Sequence, residues 1–253
     1  MSNSQVPVRY PSGVTTDPVW GPLANFGFRN PFFYHEWEDD FDFPLALALY
    51  TQTKSGNGTI ANAAGDGGLA LFTTNSSTPN ASDICSIQLP AASFKVSAGF
   101  KMFFLTRLQL SSAVNNALVA GLIQTTTTPF TVTDGIYFSK PTGAATGLVL
   151  ISTVGSSPVS LTIPTSAYTL ADATNIDLGW AMDRNGNIYA FVGSQLVGYI
   201  LQSGTGSSVP SKACASFQPA LPTANLNLTV AVQSGTASSK TMTVDFVMAA
   251  KER

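Results

Sequence analysis

One histidine, a knot of carboxylates and two distant cysteines are the residues of this chain with the most chemistry to offer. His35 sits beside Glu36 and opens the stretch "HEWEDDFD", where Glu36, Glu38, Asp39, Asp40 and Asp42 place five carboxylates within seven positions. A histidine next to a carboxylate can act as a base or hold a metal. Either role needs further partners, and the chain has no second histidine. Hydrolysis of a sugar bond needs two carboxyl groups flanking it. Glu38-x-Asp40-x-Asp42 lacks the closing glutamate of an E-x-D-x-x-E strand, and it precedes the first convincing strand. Clustered oxygens also suit calcium. The plainer reading is a solvated acidic stretch that keeps its aromatic neighbours soluble or pairs with nearby Lys or Arg.

"DRNGN" raises the calcium question again through Asp183, Asn185 and Asn187. A calcium loop of the EF-hand kind has its glycine sixth and a glutamate twelfth, whereas here Gly186 is fourth and Ser194 twelfth. Asn185-Gly186 reads instead as a type I′ hairpin turn with positive φ at both residues. Cys85 and Cys214 have no metal-type spacing and read as two buried free thiols. No G-x-S-x-G elbow accompanies the histidine. "GDGG" (65–68) and "GTGSS" (204–208) follow no phosphate-binding pattern and read as turns. The expectation is a protein that is not an enzyme, with no catalytic residue, no metal and no cofactor.

The elements that would have to position any site are strands. "KMFFLTRLQLS" (101–111) alternates cleanly: Met102, Phe104, Thr106, Leu108 and Leu110 face one way, Phe103, Leu105, Arg107 and Gln109 the other. Ten further runs have strand character: 67–74, 84–89, 116–124, 135–140, 147–153, 176–182, 187–193, 195–201, 225–234 and 240–249. Glycine-rich turns separate them, which predicts an all-β antiparallel sandwich or jelly roll. The best helix candidate, "TSAYTLADAT" (165–174), is a turn or a single helical turn. The chain divides near residue 42. Residues 1–42 carry Pro7, Pro11, Pro18, Pro22 and Pro31 and read as an extended arm, because proline fixes φ and removes a backbone donor. Residues 43–253 form the sandwich. The arm holds Trp20, Phe26, Phe28, Phe32, Phe33, Tyr34, Trp37 and Phe41, far more aromatic surface than a disordered linker carries. These eight are the candidate contacts to a neighbouring surface.

Composition narrows the function classes. Charged residues make up 10% of the 253, against about a quarter in an ordinary soluble protein, and the net charge is −2. A coat of Ser, Thr, Asn and Gly suits close packing against other protein. There is no basic tract to neutralise phosphates, so no nucleic-acid partner is expected. The start "MSNSQVPVRYPSG" carries no signal-peptide pattern, and no apolar run approaches the ~20 residues of a membrane span. The sequons at Asn57, Asn75, Asn80 and Asn227 then read as loop asparagines.

The stretches "AGDGGLALFTT", "DGIYFSKPTG", "TLADATNIDLGWAMDRNGNIYAFVGSQLVG" and "KTMTVDFVMAAKER" resemble the capsid decoration, or cement, proteins of tailed bacteriophages. The pattern is also distantly similar to concanavalin-like sandwiches; the resemblance spans roughly residues 43–253, and its elements are structural, so no catalytic residue carries over. It implies a homotrimer on the outer surface of a virion head, made in the host cytoplasm, that bridges neighbouring major capsid subunits. The alternative is a glycan-binding, lectin-like module of a phage fibre or spike, with Trp180 and Tyr189 as its first aromatic platforms.

Overall fold

The computed structural model describes residues 34–42, 49–65, 67–202, 214–218 and 220–253. Period-two alternation gives strands, and among the described residues there is no helix. The chain runs through β1 (Tyr34–Asp39), β2 (Thr51–Lys54), β3 (Thr59–Ala63), β4 (Leu69–Thr73), β5 (Ile84–Gln88) and β6 (Phe94–Lys95). It continues through β7 (Met102–Leu110), β8 (Asn116–Ile123), β9 (Gly135–Lys140), β10 (Val149–Val154), β11 (Ser157–Thr162) and β12 (Asn175–Met182). The last described strands are β13 (Ile188–Val192), β14 (Gln195–Gln202), β15 (Cys214–Gln218), β16 (Asn225–Ser234) and β17 (Thr241–Glu252).

Two sheets form. The first is ordered β15-β14-β13-β12-β7-β17-β4-β3, with β1 also on β17; the second is ordered β11-β10-β9-β8-β16-β5-β2, with β6 on β16. Pairing is antiparallel except between β14 and β15. The inward residues of both sheets make one core, as a face-to-face sandwich requires. Met102, Phe104, Thr106, Leu108 and Leu110 are all buried, as the alternation of β7 predicts. Small satellite clusters lie on the outer faces, around Phe103 and Met248 on the first sheet and Val119 and Tyr137 on the second.

All eleven predicted strands are present, with ends moved by a few residues at most. Three expectations change. The sheet starts before residue 42: β1 pairs along β17, with Tyr34 opposite Glu252, so the division of the chain places a sandwich strand in the arm. Glu36 and Glu38 point out and His35, Trp37 and Asp39 in, which hides the strand behind its charge. Asn185-Gly186 is not a type I′ turn. Only Gly186 has positive φ, at 84°, and its N–H donates to the Asp183 carbonyl, so the loop is a type I turn followed by a left-handed glycine. The two-residue loop with both φ angles positive is Gly155-Ser156, between β10 and β11. Finally, Asn227 is not a loop asparagine: it is buried in β16, where its amide donates to the Leu89 carbonyl at 2.7 Å. The 165–174 stretch forms turns, and Cys85 is a buried free thiol whose pKa burial pushes up to about 11.

Candidate functional site

The acidic knot does not converge. Strand alternation sends Glu36 and Glu38 outward, while Asp39 turns inward as an acceptor. Its Oδ2 takes the Tyr50 hydroxyl at 2.7 Å and its Oδ1 takes the Phe41 N–H at 2.8 Å; Trp37 Nε1 donates to the same Tyr50 oxygen at 3.1 Å. This is a structural corner. Phe41 is 1% exposed with φ of 59°, and the Asn62 amide holds its carbonyl. Of the eight arm aromatics, Trp20, Phe26, Phe28, Phe32 and Phe33 lie outside the described residues. Tyr34 packs on the outer cluster of the first sheet, Trp37 packs against the core, and Phe41 belongs to it. Among the described residues no three His, Cys, Asp or Glu side chains assemble into a metal-holding group.

Trp180 is no sugar platform. It is fully buried and stacks on Phe104 with centroids 6.3 Å apart. Tyr189 is half-buried, packs edge-on against Tyr199 and donates its hydroxyl to Asp183 Oδ2 at 2.8 Å. Asp183 is thereby the hub of the hairpin. Its two oxygens also accept from the N–H groups of Asn185 and Asn187 and from the Asn187 amide.

What the strand order does assemble is a polar strip on the outer face of the first sheet. Arg107 of β7 stands directly opposite Asp177 of β12. Its Nε donates to Asp177 Oδ1 at 2.6 Å and its Nη2 to Oδ2 at 3.2 Å, a two-pronged pair. On the other side β17 carries a bulge: Val244 pairs with Leu108 and Phe246 with Arg107, leaving Asp245 extra. A bulge breaks the alternation, so Asp245 and Phe246 both face outward beside Arg107. Asp245 Oδ2 lies 3.4 Å from Arg107 Nη1, and the guanidinium sits 5.8 Å from the centre of the Phe246 ring. The buried Thr106 hydroxyl donates to the Phe246 carbonyl at 2.8 Å, which fixes the bulge from within.

Two clefts meet at this trio. One, of about 430 Å³, runs past Gln109, Asn175, Thr243 and Leu69. The other, of about 350 Å³, runs past Tyr168, Ile176 and the Gly193 turn to Gln195. The side chains of Arg107, Asp177 and Asp245 are 42%, 36% and 27% exposed; Arg107 lines both clefts, Asp245 the first and Asp177 the second. Hydrogen bonding to Asp177 holds the Arg107 pKa above its ordinary value, so the site keeps a permanent cation between two carboxylates. Sequence reasoning missed this trio, although period two in β7 already turned Arg107 and Gln109 away from the core.

No family model and no curated protein matches the sequence. Among solved structures, the chain is similar to an endo-1,3-β-glucanase from Streptomyces sioyaensis, with a TM-score of 0.57, 13% identity, and 89% of this chain and 99% of that one covered. It is also similar to arcelin-5, a lectin-like defense protein from Phaseolus vulgaris, with a TM-score of 0.51, 11% identity, and coverage of 87% and 100%. A third likeness is to the globular domain of T. cruzi calreticulin, with a TM-score of 0.52, 9% identity, and coverage of 84% and 86%. None of these three is a capsid decoration protein. The chain has the fold they share with it, an antiparallel jelly-roll sandwich of the concanavalin-like kind.

Proposed function

We propose that the chain is a non-enzymatic glycan-binding module that takes saccharide on the outer face of its first sheet. One observation carries the reading: Arg107, Asp177 and Asp245, from three adjacent strands, sit exposed between two clefts lined by amide and hydroxyl side chains. Sugar hydroxyls need donors and acceptors side by side, and Arg flanked by carboxylates offers both. Tyr168 adds ring surface for the apolar face of a sugar, and Phe246 backs the guanidinium. Both carboxylates accept from the same guanidinium, which suits them to hydroxyl recognition rather than to an acid-and-nucleophile pair. The glucanase and the lectin-like protein lend the reading support through what their names say of sugars; the likeness itself is one of fold.

A glycan array that includes β-glucans tests the proposal. A defined saccharide is expected to bind, and Arg107→Ala is expected to weaken it by roughly 10- to 100-fold, the scale of one or two hydrogen bonds to a charged group. Absence of any hit at millimolar saccharide overturns it.

A capsid-decoration role is a second proposal, favoured by the 10% charged content and by the resemblance of the strand-and-turn stretches. It predicts density on the head in electron micrographs of particles that carry the protein and none in its absence.

A further inference from the structure

At one end of the sandwich, where β1 begins and β17 ends, cations gather. The register sets His35 opposite Lys251. The His35 ring leans on Phe94 with centroids 4.9 Å apart, and the next residue along β6 is Lys95. The Lys251 ammonium lies 5.6 Å from the centre of the half-exposed Phe100 ring. Burial lowers the pKa of Lys251, and the charge of Lys95 lowers it further. Burial likewise lowers that of His35, with Arg253 and Lys251 adding to the effect. His35 Nε2 is buried and has no hydrogen-bond partner among the described residues. Two acids of this end are engaged elsewhere, Glu252 by Arg184 and the Lys101 N–H and Asp183 within its turn, while Glu36 beside His35 points out from the sheet. From Lys95 a cleft of about 490 Å³ opens past Asn185, Gln202 and Thr223 over an apolar floor of Val96 and Leu221. That volume falls in the range of small-molecule sites, and amide and hydroxyl groups line it beside the Lys95 ammonium.

We infer that this end is a second binding site, which seats the acidic group of an anionic polysaccharide on Lys95 and Lys251, within electrostatic reach of His35, and a sugar ring in the cleft that Lys95 lines. It extends the glycan reading to a separate place on the molecule and names the ligand class: a saccharide bearing sulfate or carboxylate. Polyanion binding here would be site-specific, because the whole chain is acidic, with a net charge of −2 and a pI of 5.2, and does not attract polyanions in general.

Affinity electrophoresis of the untagged full chain in gels containing dextran, dextran sulfate or polygalacturonate tests the inference. Retardation by one of the acidic polymers and not by dextran is expected, with the stronger of the two identifying the group. Lys95→Gln/Lys251→Gln is expected to cut it at least tenfold at unchanged melting temperature, and 0.5 M salt to abolish it. Arg107→Ala is expected to leave it intact, which separates this site from the one on the sheet face. Because His35 is the chain's one histidine, its ring proton signals form a single set in NMR spectra. An anion seated beside it is expected to raise its titration midpoint. Equal retardation of the double variant, loss of retardation in Arg107→Ala alone, no retardation by either polyanion, or an unmoved His35 midpoint would each overturn this site. A sheet-face glycan detected on the array would survive any of those results.

Discussion

Arg107 and Trp180 make opposite predictions, and the contrast separates site from scaffold. Arg107 is part-exposed, and exposed ion pairs contribute ~0–1 kcal/mol, so Arg107→Ala is expected to leave thermal unfolding nearly unchanged while saccharide binding falls. Trp180→Ala opens a hole in the core beneath β12 and is expected to cost ~3–5 kcal/mol, visible as a large drop in denaturant midpoint. If Trp180→Ala instead removed binding at full stability, the tryptophan would be a sugar platform after all. Lys140 offers a third test at this scale. It is fully buried, and among the described residues its ammonium donates to the carbonyls of Asn116, at 2.7 Å, and Val114, at 3.2 Å. Burial lowers its pKa to about 8 from an ordinary 10.5, against the pull of Asp172. Between those two values the unfolded chain holds the proton and the folded chain has released it. Stability from this group therefore rises with pH across that window and is lowest below about 8, where both states are charged. Chemical denaturation at pH 7.5 and 9.5 is expected to show that gain in the wild type and to lose it in Lys140→Met.

Among the elements, two irregular ones decide the most. The hairpin between β12 and β13 is held by Asp183, which accepts four hydrogen bonds from its own loop and from Tyr189. Asp183→Ala leaves those donors to find water and is expected to cost ~1–3 kcal/mol by thermal melt. The β17 bulge depends on Thr106. Thr106→Val strands the Phe246 carbonyl, so a stability loss of about 1–3 kcal/mol is expected together with weaker saccharide binding, since Asp245 loses its fixed aim. A stability loss with binding intact would mean that the bulge does not position the site. These elements also mark what a sequence can show. Period two placed β7 and turned Arg107 outward, and the same signal found β12 and β17. Nothing local says that β12 and β17 flank β7, because strand order is settled by pairing between residues 70 and 138 positions apart. The bulge at Asp245 is equally silent, since a regular strand and a bulged one share the same apolar pattern. Of the six strands that escaped notice, β1, β3 and β11 did so for a different reason. Each has a face made of charge, small residues or Pro158, which reads as loop.

The whole molecule depends on its ends more than the composition of residues 1–42 suggests. Removing them deletes β1, its six-residue register with β17, and Phe41 from the core. A chain starting at residue 43 is expected to melt well below one starting at Tyr34, by calorimetry on both. Equal melting temperatures would mean that β1 contributes nothing to the sandwich. That pairing has a further consequence, for how the molecule is made. Tyr34 meets Glu252 across a loop of roughly 200 residues, and β17 fills the gap between β7 and β4 in the middle of the first sheet. A nascent chain leaving the ribosome must hold β4 and β7 with bare edges until β17 is synthesised. Both are apolar strands, so the partly made protein carries the aggregation risk that the finished one has buried. Folding is then expected to be slow, to close in one late step, and to depend on chaperones that cover strand edges during synthesis.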